Sequence, residues 1–224
     1  MRIVLTGGGT AGHVTPHLAL IPPLRQEGWD IHYIGSETGI ERELIGKVEG
    51  VTYHAVKTGK LRRYRDVKNL SDPFRVAAGV GQATHLIHTL KPNVVFSKGG
   101  YVAVPVVYGA AFNRVPVLIH ESDMTSGLAN RLSLPFAKVL MCTFPETVKE
   151  AGKKGLYVGA PIRKELLAGD RERGLKLFGF TSNRPVLLVV GGSLGAQAIN
   201  RAVRGALDDL TRCFQVLHIC GKGN

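Results

Sequence analysis

Short runs of aliphatic and β-branched residues alternate along the chain with longer amphipathic stretches. The runs at 2–6, 30–34, 51–56, 93–97, 116–120 and 138–142 predict strands. The stretches at 13–27, 40–48, 71–90, 102–113, 125–134 and 145–151 predict helices between them. The strand runs are near-continuous rather than alternating, as in Val115-Pro116-Val117-Leu118-Ile119. Strands covered on both faces by helices show this pattern, and they form parallel sheets. The predicted fold class is therefore α/β, a Rossmann-like doubly wound parallel sheet with right-handed crossovers. Pro16, Pro22 and Pro23 fall in the first helical stretch. They predict a late start or a kink, because proline lacks the N–H and crowds the preceding turn.

After residue 158 the texture changes. Gly159-Ala160-Pro161-Ile162-Arg163 reads as a turn or linker, followed by a charged segment through Lys176. Val186–Val190 then restarts the strand pattern, a glycine loop and a helix follow, and 214–219 reads as a further strand. This divides the chain into a domain at 1–162 and the opening of a second Rossmann-like domain at 163–224. A lone β-α-β unit is too small to bury a good core, so the second part is expected either to be incomplete or to lean on the first.

Composition adds less than pattern. The 224 residues are 44% hydrophobic and 21% charged, ordinary for a soluble α/β protein. The net charge of +12 implies an anionic partner without choosing among nucleic acid, a phosphorylated substrate and an acidic membrane. Cys142, Cys213 and Cys220 form no C-x-x-C pair and are expected to be buried free thiols. The N-terminus runs directly into a strand pattern without the apolar core of a signal peptide, and no apolar run approaches the roughly 18 residues of a spanning helix. A cytosolic protein touching membrane only at its surface is expected. Lys57, Lys60, Arg62, Arg63, Arg65 and Lys68 crowd one segment, with Phe74, Val76 and Val80 just after it. That combination suits an anionic membrane surface, or else a solvated loop. It lacks the interleaved aromatics of a nucleic-acid binder, so no nucleic-acid partner is expected.

In open parallel sheets ligands bind beyond the carboxyl ends of the strands, and the informative residues stand there. Gly7-Gly8-Gly9-Thr10-Ala11-Gly12-His13 follows the first strand. Glycines let backbone approach a ligand, and free N–H groups at a helix start suit a phosphate; a ligand-free tight turn is the alternative. His13 reads as the opening residue of the helix, where the dipole disfavours imidazolium. It is either a general base or a structural histidine. Ser97-Lys98-Gly99-Gly100-Tyr101 is a second such loop, with Lys98 as a charge beside it. His120-Glu121-Ser122-Asp123 ends the fifth strand, with Asn130 in the next helix. These residues could position sugar hydroxyls or move a proton, or Ser122 or Asp123 could simply cap that helix. Gly191-Gly192-Ser193-Leu194-Gly195-Ala196 repeats the strand, glycine loop, helix pattern in the second part.

In order and spacing these segments resemble one family. They are GGGTAGHVTPHLAL at 7–20, KPNVVFSKGGYVAVPV at 91–106, PVLIHESDMTSGLANR at 116–131, GAPIR at 159–163 and VVGGSLGAQAIN at 189–200. The family is the bacterial UDP-N-acetylglucosamine:N-acetylmuramyl-(pentapeptide) pyrophosphoryl-undecaprenol N-acetylglucosamine transferases (the MurG family). The resemblance implies a GT-B fold and an inverting, metal-independent transfer with no cofactor. Its substrates would be UDP-GlcNAc and undecaprenyl-diphosphate-linked muramoyl-pentapeptide, met at the cytoplasmic side of the plasma membrane. The sequence has no D-x-D motif for a metal-bound diphosphate. Carried over by position, Thr10, Ala11 and Gly12 line the acceptor loop, with His13 or Glu121 as catalytic base. Lys98, Tyr101, Asp123 and Asn130 become substrate-binding candidates, Arg163 and Ser193 donor contacts, and 57–80 the membrane-associating segment. Ala11, Asp123, Ala160 and Leu194 depart from the family's usual glycine, asparagine, asparagine and glutamine. Those departures leave open a paralogue with another acceptor; a non-catalytic membrane-docking half of a split transferase is a separate alternative. Family members are longer, so these 224 residues alone are expected to bind donor poorly and to be inactive.

Overall fold

The computed structural model describes residues 1–59, 68–192, 195–221 and 223–224. They form two compact units, Met1–Lys164 and Glu165–Asn224.

The first unit is built on a seven-stranded, all-parallel sheet in the order β3-β2-β1-β4-β5-β6-β7. The strands are β1 (Arg2–Thr6), β2 (Asp30–Ser36), β3 (Val51–Val56), β4 (Val94–Ser97), β5 (Val117–Glu121), β6 (Val139–Cys142) and β7 (Gly155–Tyr157). Six α-helices connect them: α1 (Thr15–Gln26), α2 (Ile40–Ile45), α3 (Lys68–Leu90), α4 (Ala103–Phe112), α5 (Leu128–Ser133) and α6 (Pro145–Ala151). Successive side chains of a strand face opposite sides, and the core divides accordingly. Ile3 and Leu5 of β1 join Val14, Ile21, Ile31, Tyr33 and Ile45 on one side. Val4 joins Ile87, Val106, Val107 and Ile119 on the other. Both faces of the sheet are covered, which is why its strands read as unbroken apolar runs. The order reverses direction between β1 and β4, the switch point at which such sheets open a crevice.

Local chemistry explains the differences from expectation. The first helix starts late, as its prolines require: Pro16 stands in its first turn, and Pro22 and Pro23 inside it remove two rungs of the hydrogen-bond ladder. His13 does not open that helix. It closes a separate 3-10 turn, Ala11–His13, ahead of it. The helix expected at 125–134 contracts to Leu128–Ser133 followed by a 3-10 turn, because 122–127 is wrapped around a carboxylate described below. The strand Gly155–Tyr157, absent from the sequence reading, adds a seventh member at the sheet's edge. Of the thiols only Cys142 is buried; Cys213 is exposed and Cys220 half-buried, against the expectation of three buried ones.

The second unit holds the parallel pair β8 (Val186–Val190) and β9 (Gln215–Ile219), with α7 (Arg171–Phe178), α8 (Gln197–Gly205) and α9 (Leu207–Cys213). Asp170 caps α7 by accepting from Arg173 N at 3.0 Å, and Gly179 ends it in the left-handed conformation. Leu175 is the one buried apolar side chain among the unit's described residues, and Leu188 of β8 is 57% exposed. Among the described residues no helix is long and apolar enough to cross a membrane.

Two glycines of α3 give a test of how tightly the helix seats. A Cβ at Gly79 would collide with the Lys57 carbonyl oxygen, whereas one at Gly81 would meet nothing within 4 Å. Gly79→Ala should lower stability by about 1–3 kcal/mol through overpacking. Gly81→Ala should raise it by about 0.4–1 kcal/mol by restricting the unfolded chain. Urea midpoints of the two variants measure both.

Candidate active site

Three loops leave the carboxyl ends of β1, β4 and β5; the first two meet backbone against backbone, and the third reaches them through the side chains of Ser122 and Asn130. Gly9, Gly99 and Gly100 have φ of 85°, 88° and 79°, which side-chain-bearing residues rarely adopt. Space is equally decisive. A Cβ on Gly100 would collide with the Gly8 carbonyl oxygen, one on Gly9 with the Tyr101 ring, and one on Gly99 would lie 2.9 Å from Asn130 Oδ1. The first and second glycine loops are thus one packed unit, with Asn130 behind it. Ala11, where the resemblance expects glycine, lies in the right-handed 3-10 turn and needs no left-handed freedom.

The first loop is also pinned from beneath. Tyr33 Oη donates to Gly7 O at 2.6 Å, and Gly9 N donates to Glu41 Oε2 at 3.1 Å. His17 lies fully buried between Tyr33 and Phe96, edge-on to both rings. Sequence reading missed Tyr33, Glu41 and His17: each sits outside the glycine motifs or reads as ordinary packing. His13 is half-buried, its Nδ1 2.8 Å from Thr10 Oγ1. That contact leaves Nε2 as the ring nitrogen able to face a substrate.

In the third cluster, the Glu121 carboxylate takes four hydrogen bonds. Oε1 accepts from Ser122 N (2.8 Å) and Asp123 N (3.0 Å); Oε2 accepts from Gly127 N (2.9 Å) and Asn130 Nδ2 (2.9 Å). Burial pushes this carboxyl up, but the four donors outweigh it and hold its pKa below the ordinary value. Its lone pairs are committed to folding the loop 122–127. The capping alternative fails: Gly127 is the N-cap of α5, without a side-chain bond, and Ser122 instead accepts from Lys98 Nζ. Asp123 is exposed, while its carbonyl oxygen accepts from Thr147 Oγ1 at 2.9 Å.

Lys98 is 2% exposed, and its ammonium lies among three histidines. Burial lowers its own pKa, and it in turn adds to the burial that lowers those of His13, His17 and His120. For His13, Glu121 and Asp123 oppose the shift without cancelling it. His120 Nε2 donates to Gly159 O at 3.0 Å, joining the third cluster to the segment that leaves the sheet. All three imidazoles are therefore neutral near pH 7, the form that accepts a proton.

The structure thus gathers Thr10, Ala11, Gly12, His13, Lys98, Tyr101, Glu121 and Asn130 at one end of the sheet, with Asp123 at its surface. Arg163 is exposed in the irregular stretch after Gly159. Ser193 lies outside the described residues, as do Lys60, Arg62, Arg63 and Arg65 of the basic segment. Gly192 and Gly195 beside Ser193 have φ of 81° and 76°, and Asn200 of α8 donates to Cys220 O at 2.9 Å, closing that loop against the end of β9. No group of three or more His, Cys, Asp or Glu among the described residues is placed to hold a metal ion.

Residues 3–141 match the glycosyltransferase family 28 N-terminal domain, and residues 186–224 match the C-terminal domain of the same family. The chain belongs to glycosyltransferase family 28. Among curated relatives, this family 28 chain is 59% identical over 223 residues to the UDP-N-acetylglucosamine--N-acetylmuramyl-(pentapeptide) pyrophosphoryl-undecaprenol N-acetylglucosamine transferase of Lachnoclostridium phytofermentans. The match covers 99% of the chain and 62% of the relative. It is 57% identical over 224 residues to the enzyme of the same name from Geobacillus thermodenitrificans, covering 100% and 63%. The chain thus spans under two thirds of the length of these relatives. The crystal structure of Acinetobacter baumannii MurG superposes with a TM-score of 0.70 at 26% identity, covering 99% of this chain and 59% of that one. UDP-GlcNAc 2-epimerase from Neisseria meningitidis, at 11% identity and a TM-score of 0.63, shares the fold.

His17 gives the family 28 site a measurable pH signature. Burial, reinforced by Lys98, pushes its pKa down to about 3, against about 6.5 in the unfolded chain. Between those values the unfolded chain binds a proton that the folded one refuses. Stability therefore falls as pH drops through that window, with a slope from this residue of up to about 1.4 kcal/mol per pH unit, and is insensitive to it above about pH 7. Urea midpoints between pH 7 and pH 5 should decline less steeply for His17→Gln than for the parent chain.

Proposed function

We propose that the full gene product transfers N-acetylglucosamine from UDP-GlcNAc to the undecaprenyl-diphosphate-linked muramoyl-pentapeptide, with inversion at the anomeric carbon. The observation that carries this reading is the convergence of the β1, β4 and β5 loops on one neutral histidine beside a buried lysine. The names of the relatives supply the substrates. The acceptor hydroxyl oxygen attacks the anomeric carbon and the carbon–oxygen bond to UDP breaks, its electron pair leaving with UDP. The proton goes to His13 Nε2, because Thr10 occupies Nδ1. Glu121 serves as an organiser of the loop carrying Asp123, with Asn130 fixing its orientation.

The N–H groups of Thr10, Ala11 and Gly12, together with the Lys98 ammonium, would meet the acceptor's diphosphate. Tyr101, packed on Gly9, would wall the acceptor side. Arg163 and Ser193 would reach the donor, with no metal or other cofactor taking part. The lipid carrier places the protein at the cytoplasmic face of the plasma membrane, as a peripheral protein. Phe74, 78% exposed at the start of α3, and the neighbouring exposed Lys57 suit contact with an anionic surface. Asp123 in place of asparagine is the feature that favours a second reading, the same donor with another acceptor.

The deciding measurement is transfer of labelled GlcNAc to the lipid-linked muramoyl-pentapeptide by the full gene product, with His13→Ala alongside. Transfer by the parent is expected, with the variant slowed about 10²–10⁴-fold, the usual contribution of general base catalysis. Binding of UDP-GlcNAc without transfer would move the acceptor elsewhere. A fully active His13→Ala would overturn the base.

A further inference from the structure

Glu41 belongs to none of the sequence motifs, yet it is the most enclosed acid among the described residues of the first unit. The side chain is 0% exposed. Oε1 accepts from Ser36 N at 3.1 Å and from Ser36 Oγ, and Oε2 accepts from Gly9 N at 3.1 Å. Three glycines make the room it fills. A Cβ on Gly8 would lie 2.5 Å from Glu41 Cδ, one on Gly35 would lie 3.0 Å from its Cγ, and one on Gly39 would collide with Oε1. These glycines come from the loop after β1, the end of β2 and the N-cap of α2.

A buried carboxylate is costly unless donors surround it, and here they do. Ser36, only five residues away, supplies two of them and alone would tie α2 to β2. The third bond crosses to a different loop and holds the backbone that the Tyr101 ring covers from above. Beyond Gly9 the chain runs directly to Thr10, whose hydroxyl contacts His13. A carboxylate needed only for folding the β2–α2 turn has no use for Gly9.

We infer that Glu41 is a positioning residue of the active site, fixing the Gly8-Gly9 backbone from beneath and thereby aiming the Thr10–Gly12 N–H groups and His13. The inference rests on the proposed reading of this loop as the acceptor-facing one. It predicts an effect on one substrate and not the other, because the loop that Glu41 supports is the one read as facing the acceptor.

Glu41→Gln keeps the shape but replaces the carboxylate by a neutral amide, so the Gly9 anchor is weakened when the amide oxygen faces Gly9 and lost when the NH2 group does. In the full gene product, kcat/KM for the lipid acceptor should fall roughly 10- to 100-fold, the effect of a misaligned reactive group. The KM for UDP-GlcNAc should stay close to the parent's, and the urea midpoint should fall by no more than the weakening of one buried hydrogen bond. Unchanged kinetics would overturn the inference, as would equal loss for both substrates or a loss that tracks stability. Should Glu41→Gln not fold, Glu41→Asp retains the charge, withdraws it from Gly9 and is held to the same outcomes. If the parent itself shows no transfer, the functional reading fails and Glu41 is judged by amide NMR of the 224-residue chain titrated with inorganic pyrophosphate. Responses at Thr10, Ala11 and Gly12 that weaken in Glu41→Gln sustain the positioning role, and identical responses end it.

Discussion

Direct contact of backbone with backbone is the constraint on which this site depends. The loop after β1 and the loop after β4 lie so close that the Gly8 carbonyl oxygen occupies the space a Cβ on Gly100 would need. Only glycine satisfies both that distance and the φ of 79° at the same position. This closeness sets His13, at the end of the first loop, beside the second loop, with its Nδ1 3.3 Å from where that Cβ would stand. It also brings Lys98 under Gly7, with the Lys98 Cβ 3.1 Å from where a Gly7 Cβ would lie. The histidine and the lysine are neighbours because the chain has no side chains between them.

The charges around this contact are arranged unequally. Glu121 takes four hydrogen bonds and becomes part of the scaffold. Lys98, equally buried, donates to the Ser122 hydroxyl, a neutral partner. A buried ammonium held that way keeps its field, and the field discourages protonation of every imidazole nearby. The site is rich in histidine but carries little imidazolium.

Much of the architecture was legible in the sequence because parallel strands covered on both faces leave unbroken apolar runs. β1, β4, β5 and β6 announce themselves in that way, and β3 (VTYHAV) through its β-branched and aromatic residues instead. The edge strand β7 does not: it is three residues long, with Leu156 and Tyr157 exposed, so no apolar run marks it. The three loops were legible through their glycines, whose spacing reports close approach. What lies beneath the loops was not. Glu41 in IERELI reads as a solvent-facing helix charge, and Tyr33 in DIHYIGS as one more core residue. The role of Glu121 was legible as a position but not as chemistry, because three of its four donors are main-chain N–H groups that any sequence supplies. His13 reads as a helix start because 3-10 turns are frequent at the N-termini of α-helices and continue into them.

β1 precedes the other strands of its sheet in the chain and occupies the sheet's interior, yet one of its two neighbours is β4, with Ile3 paired to Val94. At on the order of 5–20 residues per second, a ribosome leaves one edge of β1 unpaired for several seconds. Helices α1 and α3 rely on local contacts and can form in that interval, whereas the β1–β4 pairing must close a long loop first. The apolar stretch Ile3-Val4-Leu5 stays open to capture by chaperones, or by other unfinished chains, until β4 arrives. The arrangement that puts the glycine loop beside its partner therefore also makes β1 wait longer for its second neighbour than any other strand of the sheet.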